Sequence, residues 1–396
     1  MIAAQGDNPL VFKSHAIERV VLLRDFAEDR RTSMEIYGDK LLATLEATNQ
    51  SQFSFTTFQP RLPRWNRVVP ETANLKMRAA RYIAYPRQAK RLSADIYHII
   101  DHGYAHLLSS LDPGKTVITV HDMIPYLAGR GLIPGVTMSR RSWLSEYSQG
   151  FLKRAAAIVA VSENTRQDLL RHCQCDPERI HVLAHGIDPA FRKLDMGQAE
   201  VRKALGLPYA EGVKLVLITG QQFYKNHETC LAVLERLLKD YGDSLYLVRL
   251  GAVTPQWRSL LEQSNCTGRV IEIPRLPSSA MPSLYNAVDC LLFPSWYEGF
   301  GWPPLEAMAC GTPVVVSNAG SLPEVVANAA IQCDPEDVDG LAAGVRRLLQ
   351  DRAFSASQIQ AGFENCKRFD WRDYAQAMLG IYRNVAIGLG RSPIDE

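Results

Sequence analysis

The feature that most constrains this chain is a series of short runs that are apolar on both faces. The first half holds "RVVLL" (19–23), "DIYHII" (95–100), "TVITV" (116–120) and "AIVAV" (157–161). The second half holds "KLVLIT" (214–219), "LYLVRL" (245–250), "RVIEI" (269–273), "CLLFP" (290–294) and "TPVVVS" (312–317). A strand with one wet face alternates polar and apolar residues. These runs do not alternate, so they read as parallel strands covered by helices on each side. Helical periodicity fills the gaps, as in 33–47, 163–173 and 227–240. The alternation predicts an α/β protein built from doubly wound, Rossmann-like units.

The pattern starts twice. A polar segment with Pro and Gly, 188–212, separates the halves, and 396 residues suit two domains. The expected division is a domain over 1–195, a second over 196–370, and an amphipathic C-terminal helix in 371–396 that packs back toward the first. Two such domains facing each other leave a cleft at the carboxyl ends of both sheets, where ligands of these folds bind.

The net charge of +2 gives no case for nucleic acid as a partner. The N-terminus, "MIAAQGDNPLVFKSHAIERV", lacks a signal-peptide apolar core. No run reaches the roughly 18 apolar residues that a spanning helix needs, so a cytoplasmic protein is expected. The eight cysteines are scattered. Only Cys173 and Cys175 lie close together, a poor zinc pattern, so reduced core thiols are expected.

The stretch "WYEGFGWPPLEAMACG" (296–311) follows the strand "CLLFP" and must turn into a helix. Gly299 and Gly301 permit a tight turn, Pro303 and Pro304 suit a first helical turn, and Gly311 is a stop. Glu298 then stands at the loop entrance and Glu306 in the first turn, with free N–H groups between them that attract an anion. Two carboxylates beside an anion site conflict unless each binds hydroxyls. A ligand with phosphates in the middle and hydroxyls at both ends, such as a nucleotide sugar, removes the conflict. "TGQQFYKNHE" (219–228) likewise follows a strand and opens a helix, which makes Lys225 a point charge for a diphosphate.

The E-x7-E spacing followed by "AMACGTPVVVSNAGSLPEVV" resembles the signature of family-4 (group 1) retaining glycosyltransferases with the GT-B fold. The resemblance extends through "GQQFYKN", "PRLP", "LYNAVDCLLFPSWYEGFG", "TVHDMIP" and "VSENTRQDL". It implies that Glu298 contacts the donor hexose and Glu306 the donor ribose. Gly220, Gln221, Gln222, Asn226, Arg275, Leu276, Gly299, Phe300 and Gly301 would complete the donor site. His121, after the strand "TVITV", would sit beside the sugar in transfer and act in catalysis with Glu298 and Lys225. Where relatives carry an Arg beside this Lys, the chain has Gln221, Gln222 and Tyr224. Arg275 is the cation that would compensate, although its segment lies near the base in the family.

The turn after the first strand has no glycine pair. Arg31, Thr32 and Ser33 read either as a ligand loop or as a helix cap by Thr32 or Ser33. Asp122 and His102 fall on the acceptor side, and His102 and His106 read equally well as loop-structural. Asp337 and Asp339 form a D-x-D, but before a helix they read as capping. No metal or other cofactor is expected, with the nucleotide sugar as co-substrate and the leaving phosphate itself as base. A nucleotide-sugar epimerase shares the fold. A dinucleotide oxidoreductase would need G-x-G-x-x-G after the first strand, and "LLRDFAEDRR" has none. A non-catalytic binding module would not need the full set of Glu298, Glu306, Lys225 and His121. GDP-mannose is the expected donor, with UDP-glucose as the alternative, and the acceptor is a saccharide or lipid-linked saccharide. Residues 61–92 carry nine basic residues against one acid, Glu71, with Trp65, Tyr82 and Tyr85 interleaved. They read as a peripheral membrane contact, or equally as a solvated basic helix face. Pro86 is expected to limit helix length there.

Overall fold

A computed structural model describes residues 18–49, 52–62, 73–133, 136 and 143–390. It contains two six-stranded sheets, parallel throughout. The first comprises β1 (Glu18–Leu23), β2 (Phe53–Phe58), β3 (Ile96–Ile99), β4 (Thr116–Val120), β5 (Ala157–Ala160) and β6 (Ile180–Val182), in the order β2-β1-β3-β4-β5-β6. The second comprises β7 (Lys214–Thr219), β8 (Leu245–Leu250), β9 (Val270–Ile273), β10 (Cys290–Phe293), β11 (Val314–Ser317) and β12 (Ile331–Cys333), in the order β12-β11-β10-β7-β8-β9. In each sheet the chain starts on an interior strand, β1 or β7, and reverses direction once. That leaves a crevice between β1 and β3 in one sheet and between β7 and β10 in the other.

The apolar runs account for nine of these strands. The three they missed, β2, β6 and β12, all lie at sheet edges. β2, "FSFTTF", is exposed at Ser54, Thr56 and Thr57, and β6 and β12 are three residues each. A strand half-covered by one neighbour has no need of an unbroken apolar run.

The polar segment 188–212 contains a helix, Gln198–Ala204, that periodicity did not show. Buried Arg202 fixes it to the second domain. Its guanidinium donates to the carbonyls of Ala287 and Val213 and pairs with Asp289 at 2.7 Å. The last helix, Trp371–Gly390, packs on the helix Thr32–Thr48 and the first sheet. The Tyr37 hydroxyl lies 2.8 Å from that of Tyr374 and 2.9 Å from Thr119 Oγ1. The Tyr382 hydroxyl reaches His98 Nδ1 at 2.6 Å.

In the basic segment, Arg64, Trp65, Arg67 and Glu71 lie outside the described residues. Residues 73–89 form a helix that does not stop at Pro86. A π-helical turn, Ala80–Ala84, precedes a final α-turn, Tyr85–Ala89. The wider turn removes the clash that a proline ring makes with the carbonyl four residues back. Among the described residues no helix is long and apolar enough to cross a membrane.

Candidate active site

The loops that leave the carboxyl ends of β7 and β10 face those that leave β1, β3 and β4. Between them run three connected lobes. The central one, about 360 Å³, is walled by His121, His185, Lys225, Tyr285, Glu298, Gly299 to Gly301 and Glu306. A second, about 730 Å³, opens toward the first domain between Arg31, His102, Asp122 and Gln221. A third, about 490 Å³, runs past Glu306 to Leu276 and Ser278, with Trp302, Trp371 and Lys40 on its other walls.

At the β7/β10 switch point Lys225 and Glu298 meet. The Lys225 ammonium lies 2.7 Å from Glu298 Oε1, and both side chains are nine-tenths buried. The ammonium also sits 4.4 Å from the centre of the Phe293 ring. Gly220, at φ +96°, leaves room for the lysine stem, since a methyl there would come within 2.8 Å of it. The Glu298 backbone is fixed by Ser321, whose N–H donates to the Glu298 carbonyl at 3.1 Å. Next in the chain, Gly299 touches the first domain, where a methyl would run into the His121 carbonyl oxygen. Gly301, at φ +112°, starts the helix Trp302–Ala309. Among the described residues no hydrogen-bond acceptor engages the N–H groups of Gly299 to Trp302.

Glu306 is the fifth residue of that helix and not in its first turn, where the sequence reading put it. It therefore owes nothing to the helix dipole. The Tyr285 hydroxyl donates to Glu306 Oε2 at 2.8 Å. Burial raises its pKa to about 7, against the opposing effect of that hydrogen bond.

The first-domain wall is bound up internally. His121 Nε2 donates to the Ile100 carbonyl at 2.8 Å, and its Nδ1 faces His185 Nε2 at 3.2 Å. Nδ1 must then accept from the His185 N–H, which leaves His185 Nδ1 buried without a partner. Burial lowers the His121 pKa to about 4. His121 thus reaches the lobe as a neutral ring with both nitrogens engaged, and not as a free acid or base. Arg31 binds Asp101. Asp122 Oδ1 accepts the Ile124 N–H at 2.9 Å, and burial raises its pKa. Burial likewise lowers the His102 pKa to about 3. The helix Thr32–Thr48 has Arg31 at its cap and no capping side chain. Thr32 and Ser33 line the lobes instead.

Two expectations, for Asn226 and Arg275, need correction, and His106 takes the structural of its two readings. Asn226 is itself the cap of the helix His227–Tyr241, in the left-handed conformation at φ +56°. Its amide is used on the carbonyls of Pro294 and Pro335, so its side chain cannot serve a donor. Arg275 is exposed and lines none of the three lobes, so Lys225 stands without its compensation. His106 faces inward, bonded to the Arg81 carbonyl at 2.9 Å. Gln222 lines the central and first-domain lobes, Phe300 the central lobe and Leu276 the third. Asp337 accepts the Gly340 N–H at 2.8 Å, which is the capping role. No group of three or more His, Cys, Asp or Glu among the described residues is gathered to hold a metal ion.

Other residues escaped the sequence reading. Tyr285 and His185 carried no local signal. Glu324, inside the quoted "LPEVV", accepts the N–H groups of Glu163 and Asn164 at 2.9 Å each, capping a first-domain helix from the second domain. Tyr297 likewise crosses over, bonded to Asp168 and to the Asn164 amide.

Residues 205–365 match the family described as Glycosyl transferases group 1, and residues 42–191 match Glycosyltransferase Family 4. Alpha-maltose-1-phosphate synthase of Mycolicibacterium smegmatis is 31% identical over 302 residues, covering 71% of this chain and 76% of that protein. The chain belongs to the group 1, family 4 glycosyltransferases. The O-antigen chain mannosyltransferase B of Escherichia coli is 39% identical over 124 residues, 31% of this chain and 32% of that one. Across three of the curated relatives it matches, the chain spans from 32% to 61% of their length. The fold is GT-B. Sucrose-phosphate synthase from Thermosynechococcus elongatus superposes with a TM-score of 0.72 at 19% identity, over 93% of this chain and 99% of that one.

Proposed function

We propose that this glycosyltransferase is a retaining hexosyltransferase. It moves a sugar from a nucleotide donor to a saccharide or lipid-linked saccharide in cell-surface glycan synthesis. The observation that carries this reading is the pairing of Lys225 with Glu298 beside unengaged backbone N–H groups, with Glu306 on the same lobe. The donor diphosphate draws Lys225 from Glu298 and takes the amides of Gly299 to Trp302, which stabilise the charge of the leaving group. Freed Glu298 accepts sugar hydroxyls, and Glu306 accepts those of the ribose. The bond from the anomeric carbon to the diphosphate breaks, and a bond to the acceptor oxygen forms on the same face. The acceptor proton passes to the departing phosphate, consistent with a wall on which both His121 nitrogens are engaged.

Mannose from GDP-mannose is the first donor to test, supported by the mannosyltransferase relative. UDP-glucose is the second. Such donors place the reaction in the cytoplasm, at the inner membrane face for a lipid-linked acceptor. Metal is not required in this scheme, so activity survives EDTA. Loss of activity that Mn²⁺ or Mg²⁺ restores would remove that part. A nucleotide-sugar panel, scored by thermal shift and slow donor hydrolysis, tests the whole reading. NMR of the product anomer tests retention. Stabilisation by no nucleotide sugar would end the proposal, and donor isomerisation without an acceptor would favour an epimerase.

A further inference from the structure

The outer surface of the first domain holds a patch that the cleft does not use. Among the described residues the exposed large apolar side chains include Leu75 (68%), Ile83 (48%), Trp143 (69%) and Tyr147 (48%). They lie on two neighbouring helical segments, Ala73–Ala89 and Trp143–Gln149. The Tyr82 hydroxyl donates to the Leu144 carbonyl at 3.3 Å, and the Tyr82 and Tyr147 rings lie 6.3 Å apart. The apolar surface continues from Tyr147 to Phe151, with ring centres 5.1 Å apart, and Arg154 lies over Phe151. Isolated exposed apolar residues need no explanation, but a contiguous group does.

The charge of this patch is predominantly positive. Between Ala73 and Ala94 the sequence contains no acid. Arg78, Arg87 and Lys90 share the exposed stripe with Leu75 and Ile83, and Lys153 and Arg154 are exposed at the other end. On the second helix the one acid, Glu146, pairs with Arg130 at 3.4 Å. Arg81, although part of the basic run, turns inward to Asp29 at 2.7 Å and covers the Tyr104 ring. Exposed Trp and Tyr among basic residues, with Glu146 already paired, suit the headgroup layer of an anionic bilayer, where ring and cation both find partners.

Its place matters as much as its chemistry. One short segment, His102–Ser109, made of two tight helical turns joined by a kink at Tyr104, separates the patch from the cleft. His102 at its start lines the first-domain lobe. His106, four residues on, has its ring centre 4.4 Å from that of Tyr82 and bonds Ser148 of the second patch helix at 3.2 Å. We infer that Leu75, Ile83, Trp143 and Tyr147, with Arg78 and Arg87, form a docking face for an anionic lipid surface. This face holds the first-domain lobe beside the bilayer and brings it the head of an acceptor whose tail stays in the membrane. The acceptor part rests on the transferase reading, but the docking face does not.

Vesicle sedimentation tests it. The full chain is mixed with phosphatidylcholine vesicles, with and without phosphatidylglycerol, at low and high salt. Binding rises with phosphatidylglycerol and falls with salt. The double variants Trp143→Ser/Tyr147→Ser and Arg78→Glu/Arg87→Glu each weaken binding by on the order of tenfold or more, the scale for removing two basic residues from an anionic surface. Both keep wild-type donor hydrolysis, because none of the four residues lines the cleft. Equal partitioning of wild type and both variants overturns the proposal. So does self-association that Trp143→Ser/Tyr147→Ser abolishes in a protein that ignores vesicles, which would make the patch a protein interface. Vesicle binding with no hydrolysis of any nucleotide sugar defeats the transferase reading and leaves the docking face standing.

Discussion

The two walls of the cleft hold their polar side chains in opposite ways. On the first-domain wall, the polar groups of His121, Arg31 and Asp122 are bound to partners inside their own domain. On the second-domain wall, Lys225 and Glu298 hold only each other across the mouth of the site. The first wall is a fixed shape, already desolvated and neutral at its histidines. The second is an ion pair that an incoming diphosphate can open. Substitutions on the first wall should therefore act through shape and those on the second through ligand charge, and each prediction below tests that division.

The largest effect belongs to Glu298. Glu298→Ala removes the group proposed to hold the hexose and leaves Lys225 free for phosphate. Turnover should fall by roughly 10²-fold or more, on the scale of losing one preorganised transition-state contact. Nucleoside diphosphate affinity by calorimetry should hold or increase. If both quantities fall together, Glu298 holds the nucleotide and the division between the walls fails.

Gly299→Ala comes next and probes the line where the walls touch. Its methyl would strike the His121 carbonyl oxygen, so the domains must part to admit it. Turnover should drop at least tenfold, a 1.4 kcal/mol effect, while nucleoside diphosphate still binds the second wall. An unchanged turnover would mean that the contact plays no part in the working state.

Glu306 sharpens the comparison through pH. Its pKa in the free protein is raised to about 7, so ionising it costs the folded state stability. The sign follows from linkage: that stability is fully present below the ordinary carboxyl pKa and is lost as pH rises toward 7. Hydroxyls donated by a ribose favour the ionised form, so nucleotide affinity should rise from pH 6 to pH 8. Glu306→Gln should flatten that rise and increase the thermal midpoint of the free protein at pH 8. Glu306→Ala should weaken nucleotide binding by about 1–3 kcal/mol. A pH-independent wild-type affinity would remove ribose from this carboxylate.

These residues also show what a sequence exposes and what it hides. The central strands were legible because both of their faces are buried, and the edge strand β9 because its run is still apolar, whereas β2, β6 and β12 escape that requirement at their edges and were missed. Lys225, Glu298 and the glycines between the two acids were legible because a strand, a turn and a helix must follow one another there. Asn226 misled because a side chain that caps a helix and one that faces a ligand look alike in a motif. Arg275 misled because it had to be placed by resemblance, and its backbone turns it to solvent. The hydrogen bonds Tyr285–Glu306, His185–His121 and Glu324–Glu163 join residues far apart in the chain, and no local pattern announces them.

The smallest effect concerns the seam between the walls, where one helix is capped from both domains. Within its own domain, Ser162 Oγ accepts the Thr165 N–H of the helix Glu163–Cys173 at 3.0 Å. From the other domain, Glu324 accepts the two N–H groups before it. Ser162→Ala and Glu324→Ala should each cost about 0.5–2 kcal/mol, the range for a lost helix cap, and lower the thermal midpoint by similar amounts. Glu324 also brings a negative charge to the positive end of the helix dipole, so part of its effect should fade with salt. Only Glu324 ties the helix to the wall that carries Glu298. At a temperature well below unfolding, Ser162→Ala should leave kcat/KM unchanged, while Glu324→Ala lowers it severalfold and Glu324→Gln, which keeps one acceptor, restores part of the loss. If both alanine variants show wild-type kinetics, the cap serves stability alone, and the position of the second wall does not depend on it.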